Sequence, residues 1–357
     1  MSLRLDKSSP ISGGSIAYIK NRAITRFRFV ATLAHVPFFS RLQSLFGLMA
    51  VLLIAIVTSP HSAHGGLLFL ESGNITDILR QVSEIGIISL GMTLVILTAG
   101  IDLSVGTTLA LSSSVVALIL TRVTLAVSPP VAIFSALCMA VTVSLFVGLL
   151  NGFAVAQLRV QSFIATLATM IGVRGLARWL TSNSNIDIGF GNDLASVFAY
   201  TLSTKLVVIG SYVFLSVAMA LLLSRTVFGR HVRAVGDNEK AALYAGLPIK
   251  KVKLLVYTLS GALAGYSGVL HAAQNHQGNP NAGMAYELEA IAAVVIGGTS
   301  LAGGRGSVSG TVIGTLIMGI LTNVLRLNNV DTNVELMVKA VIILGAVWLQ
   351  KAWRRET

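Results

Sequence analysis

Charge is what this chain has least of. Only 11% of its 357 residues are Asp, Glu, Lys or Arg, against about 25% in a soluble globular protein. That shortfall, a mean hydropathy of +0.80 and apolar runs approaching ~20 residues exclude a soluble fold. Cysteine is nearly absent too. Cys138 stands alone, so it forms no internal disulfide and holds no metal by itself. It lies in an apolar run and reads as a small core residue. Catalytic signatures are also missing. There is no HExxH, no GxSxG and no phosphate-binding GxxxxGK[ST]. The stretch Gly304 to Gly310 has the wrong spacing for a nucleotide loop and follows no soluble strand. His271 and His276 are five apart, which does not set a metal pair on one helical face. A chain with these gaps works uphill only through an ion gradient or another chain.

What is present is apolar residues, at 54%, and glycine, at 34 positions. The fold class expected is all-α, a polytopic membrane protein of about ten spans at roughly 30 residues per span and connector. The spans fall near 43–60, 78–98, 106–121, 129–156, 162–181, 203–224, 253–274, 287–298, 307–326 and 334–350. The first of them, Leu45 to Ser59 and its upstream flank, is expected to be retained, because no convincing cleavage site follows it. One transmembrane domain is expected over 43–351. A basic extension, 1–42, precedes it and a short tail, 352–357, follows. Gly148/Gly152, Gly261/Gly265 and Gly306/Gly310/Gly314 recur at helical spacing and suit close helix crossing.

The net charge of +12 is not the mark of a nucleic-acid protein. Of 26 Lys and Arg, 19 fall in segments that alternate to one side of the membrane. They lie in the N-terminal extension, at Arg159, in the 224–253 loop, at Arg305 and in the tail. The opposite segments, near 60–77, 182–202, 275–286 and 327–333, have none in their interiors. By the positive-inside bias both termini and the 224–253 loop are cytoplasmic.

Two spans end in polar, glycine-bearing breaks, at 98–106 and 297–307. Irregular backbone at membrane depth is tolerated only against protein or a water-filled cavity, and paired breaks in two halves point to a transport pathway. Asp102 is an ionisable pathway group by default; equally, Asp102 or Ser104 caps the next helix. Asn151 suits an interhelical hydrogen bond, and Thr299 and Ser300 are the polar groups of the second break. Glu84 and Arg174 or Arg178 form a potential ion pair.

The 224–253 loop carries its own helix signals. Asp237 or Asn238 is a good N-cap, Glu239 favours the first turn, and Ala241, Ala242 and Ala245 favour helix. Gly246 stops it, with Pro248 just beyond. A two-turn helix over 238–246 is marginal alone and needs a surface to lie against, either this protein's own helices or, the favoured reading, a groove on a partner outside the membrane.

Four blocks carry a family resemblance. They are Gly91 to Gly106; Asn151-Gly152 with Phe163 to Leu167 and Arg174 to Leu176; Phe228 to Gly246; and Ala292 to Gly306. Together they make the chain, from about residue 75, resemble the membrane permeases of ribose-type ABC sugar importers. The resemblance implies a non-enzymatic, pathway-forming subunit in the bacterial inner membrane, moving a monosaccharide or similar small polyol. It implies a cytoplasmic ATP-binding subunit, a periplasmic sugar-binding protein, and a second permease, either a copy or a paralogue, with lipid around them and no cofactor. Asn238, Glu239, Ala241, Ala242 and Gly246 resemble the EAA-type coupling motif, although Lys240 interrupts its Glu-Ala-Ala run. An ion-coupled transporter using Asp102 or Glu84 is the competing reading.

Overall fold

The computed structural model describes residues 44–61, 65–122, 129–191 and 194–354. The expected extension 1–42 and residues 355–357 lie outside them. From Ser44 onward the chain packs as one unit. It is a helical membrane bundle. The helices are α1 (Ser44–Thr58), α2 (Ser72–Leu97), α3 (Val105–Arg122), α4 (Pro129–Ala156), α5 (Ser162–Leu180), α6 (Leu194–Leu202) and α7 (Lys205–Arg225). They continue with α8 (Val227–Asp237), α9 (Glu239–Tyr244), α10 (Ile249–Asn275), α11 (Tyr286–Ile296), α12 (Val308–Leu327) and α13 (Thr332–Arg354). Six of them, α2, α4, α5, α7, α10 and α12, are long and apolar enough to cross a membrane, among the described residues. Each of the ten expected spans falls on a helix. The last helix, α13, runs through Arg354.

α2 and α10 form the centre. α2 is buried from Glu84 to Leu97 but for Ile85, so its small hydroxyls must find partners inside. Ser89 and Thr93 donate back to the carbonyls of Ile85 and Ser89, and Thr93 also shares a 2.6 Å bond with Thr311 of α12. α4 and α10 touch through glycine. A Cβ on Gly148 would lie 3.1 Å from the Gly261 Cα, and one on Gly261 would lie 2.8 Å from the Gly148 Cα. Gly152 meets Leu254 in the same way. Small residues let the backbones approach, so dispersion and packing act where lipid gives no hydrophobic drive.

The segment expected as an outer connector, 275–286, is instead re-entrant. After α10, His276 turns in the left-handed region at φ 53°, and β2 (Gln277–Gly278) pairs antiparallel with β1 (Ile186–Asp187). The chain then descends beside α3. Gly278 packs on Ser113 and Ala117, and Gly283 packs on Gly106. Those contacts span eleven residues of α3, about 16 Å at 1.5 Å per residue. α11 therefore begins at depth, which is why it has only 11 residues. The backbone of this descent is satisfied from α5: Arg174 Nη1 donates to the carbonyls of Pro280 and Ala282 at 2.8 and 2.7 Å.

Arg174 is thus not the partner of Glu84. That carboxylate accepts from His271 of α10, at 2.6 Å, near the middle of α2. Arg178 donates to Asn281 Oδ1 at 2.9 Å. A second charged group pins α11 to α13. Lys339 donates to Glu289 and Glu335, each at 2.8 Å, and Arg326 reaches Glu335 at 3.4 Å. Pairing of this kind is what lets charges reside in a membrane bundle.

Gly261→Leu places a branched side chain against the α4 backbone and is expected to cost about 1–3 kcal/mol. Thermal unfolding in detergent micelles measures it; a melting temperature equal to wild type contradicts the α4–α10 contact.

Candidate functional site

The first break is built by one carboxylate. α2 ends at Leu97, and Ala99 turns with φ 58°. Asp102 Oδ1 then accepts from the Ser104 backbone N–H at 3.0 Å and the Ser104 hydroxyl at 2.7 Å. Oδ2 accepts from Ser260 of α10 at 3.0 Å. Asn151 of α4 donates to Ser104 Oγ at 2.8 Å. Asp102, Ser104 and Asn151 are buried to within 2%. The three expected polar residues therefore meet in one network that turns the chain into α3, whose first carbonyl acceptor is Ser104. Three donors compensate the carboxylate where no described cation does. The Asn151 Oδ1 atom is buried and has no hydrogen-bond partner among the described residues.

Thr299 and Ser300 belong to a separate loop. Thr299 is fully buried, packed against Gly306. Ser300 shapes the turn: its N–H donates to the Arg305 carbonyl at 2.8 Å, its hydroxyl accepts from Ala302 at 3.3 Å, and its carbonyl accepts from Gly303 at 2.9 Å. Ser307 then caps α12 by accepting from the Gly310 N–H.

The two breaks meet at a junction made of backbone. The Gly304 N–H donates to the Leu97 carbonyl at 3.0 Å. Gly236, in the last turn of α8, lies on that same carbonyl and beside Gly304; a Cβ there would overlap the carbonyl oxygen. Gly303 and Gly304 take φ of 86° and 72°, which glycine adopts at little cost. The end of α2, the end of α8 and the 297–307 loop are joined with no side chain between them.

α8 was not foreseen, since only 238–246 was read as helical in that loop. Its arginines masked an amphipathic pattern in which Val232 and Val235 are buried. Thr226 caps it, its hydroxyl accepting from Gly229 at 3.2 Å. The short helix after it has the expected ends. Asn238 Oδ1 accepts from Ala241 at 2.9 Å. Gly246, at φ 77°, closes a Schellman turn with Gly246 N–H to Leu243 O at 3.0 Å and Leu247 N–H to Ala242 O at 3.1 Å,. Glu239 takes both its oxygens to Lys253 of α10 at 2.8 Å. Ala242 is buried against the bundle, while Leu243 is 61% and Tyr244 89% exposed.

A helical membrane bundle with two interrupted helices and an outward-facing short helix tied to both interruptions has the design of a transport permease. The chain belongs to the family of branched-chain amino acid transport system permease components, whose profile matches residues 74–347. It is 41% identical over 312 residues to the ribose import permease protein of Escherichia coli, covering 85% of this chain and 92% of that protein. It is 36% identical to the L-arabinose ABC transporter permease protein of Azospirillum brasilense, covering 81% and 83%. To the xylose transport system permease protein of Escherichia coli it is 32% identical, covering 81% and 87%. The chain is a transport subunit rather than an enzyme.

Ser260, His271 and the backbone role of Gly236 escaped the sequence reading. Ser260 carried a faint signal, as a hydroxyl one residue before the Gly261/Gly265 pair.

Gly236→Val forces a side chain into the Leu97 carbonyl. The expected result is a cost of about 1–3 kcal/mol in detergent unfolding and faster proteolysis in the 226–248 connector. A wild-type digestion pattern argues against the junction.

Proposed function

We propose that this chain forms the transmembrane pathway of an ATP-driven importer and that its cargo is a monosaccharide or similarly small polyol. One observation carries the mechanism. α9 presents Leu243 and Tyr244 to solvent, and the Gly236 junction ties the residues before α9 to both helix breaks. An exposed apolar pair on a two-turn helix gains most by docking in a groove of another protein. An ATP-binding subunit in the cytoplasm is the partner that supplies energy to a chain with no P-loop.

In this reading ATP-driven closure displaces α9. The Glu239–Lys253 pair carries the displacement into α10. The Gly236–Leu97–Gly304 junction carries it into the end of α2 and the 297–307 loop. Asp102, Ser104 and Asn151 are the fixed hub of the pathway, and Thr299 and Ser300 shape its second break. Asn238, Glu239, Ala241, Ala242 and Gly246 are the coupling residues. The permease domain spans 43–351, with both termini in the cytoplasm on the Lys and Arg distribution. A periplasmic sugar-binding protein delivers cargo, which relieves the bundle of a tight, dense polar site, and a second permease completes the passage. The sugars named for the relatives support the cargo class; the amino-acid label of the family is broader than these relatives.

The test is reconstitution of the chain with its ATPase and binding protein in liposomes. Uptake is expected to need ATP and to survive an uncoupler; uptake without ATP overturns the reading. Glu239→Lys, which sets two cations together, and Gly246→Pro, which removes the turn donor, are expected to abolish uptake. The partner's ATP hydrolysis persists in both. Normal uptake in both variants removes α9 from the coupling route.

A further inference from the structure

The re-entrant segment presents polar side chains where a bilayer does not accept them. Asn281 and Glu287 are half-buried, as is Arg174, while Arg178, Met284 and Leu288 are exposed. Met284 is 70% and Leu288 56% exposed. The contact of Gly283 with Gly106 places this group well below the outer end of α3. Lipid cannot solvate a guanidinium, an amide and a carboxylate at that depth, nor irregular backbone beside them. This face of the chain therefore borders water or a polar ligand.

The groups are also incompletely used. Arg174 spends Nη1 on the Pro280 and Ala282 carbonyls; among the described residues its Nε and Nη2 have no hydrogen-bond acceptor. Asn281 gives Oδ1 to Arg178, and its amide N–H pair has none either. Glu287 Oε2 sits beside Gly106, on which Gly283 packs, and Gly283 follows the Ala282 carbonyl that Arg174 holds; among the described residues no ion pair joins Glu287 to Arg174. A donor-only guanidinium and an acceptor-only carboxylate face one small region.

We propose that Arg174, Asn281 and Glu287, with Met284 and Leu288 as an apolar wall, form a subsite on the translocation pathway for a neutral polyhydroxylated ligand of monosaccharide size. The proposal rests on the importer reading above. A hydroxyl both donates and accepts, so vicinal hydroxyls bridge the guanidinium and the carboxylate while ring C–H groups meet the apolar wall. A sugar acid would set its own carboxylate against Glu287.

The lone Cys138 makes a direct test possible. In membranes holding the full importer with Cys138→Ser, Leu288→Cys is expected to react with a charged, membrane-impermeant methanethiosulfonate. D-xylose is expected to slow that reaction, and D-xylonate and leucine are not. No labelling means the face is sealed by protein or lipid and overturns the subsite. Labelling that no competitor slows, or that only xylonate or leucine slows, overturns the ligand class. Separately, Glu287→Gln is expected to reduce pentose uptake about tenfold or more, the loss of a hydrogen bond to a charged group, with the partner's ATPase turnover retained. Uptake unchanged by Glu287→Gln overturns the subsite while the importer reading stands; absence of ATP-dependent uptake by the unmutated importer overturns both.

Discussion

A backbone carbonyl inside a membrane bundle must be answered by a donor, and the Leu97 carbonyl is answered by Gly304. The rest of the arrangement follows from how close that donor must come. Gly236 has to be bare for α8 to lie across the same carbonyl, and Gly303 and Gly304 have to be glycine to bend with positive φ. Three segments far apart in sequence are thereby fixed at one point through main-chain atoms alone. Main-chain contact has no rotamers to absorb a shift. In the coupling proposed above, a displacement entering at α8 passes to the neighbouring segments rather than into side-chain motion.

Polar residues elsewhere in the bundle obey the same rule through side chains. Asp102 has three donors in place of a cation. Glu84 has His271, and Lys339 has two carboxylates. Arg174 answers two carbonyls of the descending segment. Each of these groups has at least one partner on another element: Ser260 for Asp102, His271 for Glu84, Glu289 for Lys339 and the descending segment for Arg174. The few charges this chain retains therefore act as cross-links between elements that packing alone would leave free to slide.

Much of this was readable in advance. Apolar runs and their glycine spacing located the membrane helices, and capping chemistry located α9 and its ends at Asn238 and Gly246. The polar residues Asp102, Ser104 and Asn151 stood out because polarity at depth is rare, and the structure gathers them. Three things were not legible. The descent of 276–285 looks like an ordinary connector, because its depth is set by contacts with α3 that have no local signature. The partner of Glu84 was open because α2 faces several helices, and hydropathy does not say which face meets α10. α8 failed for a third reason: its apolar stripe is interleaved with arginines, and a basic connector suppresses the periodic signal.

The descending segment also fixes an order of assembly. Gly283 rests on Gly106, and β2 pairs with residues 186 and 187, so its resting place is formed by chain synthesised long before it. α3, β1 and the Arg174 side chain must already be in position when residues 276–285 emerge, because these supply the contacts and hydrogen-bond partners that the segment uses. Contacts of such long sequence separation form late. The C-terminal helices α11 to α13 are therefore the last to settle, and a translation arrest after α10 would leave a bundle whose longest helices are inserted while the face of α3 that Gly278 and Gly283 cover is still bare.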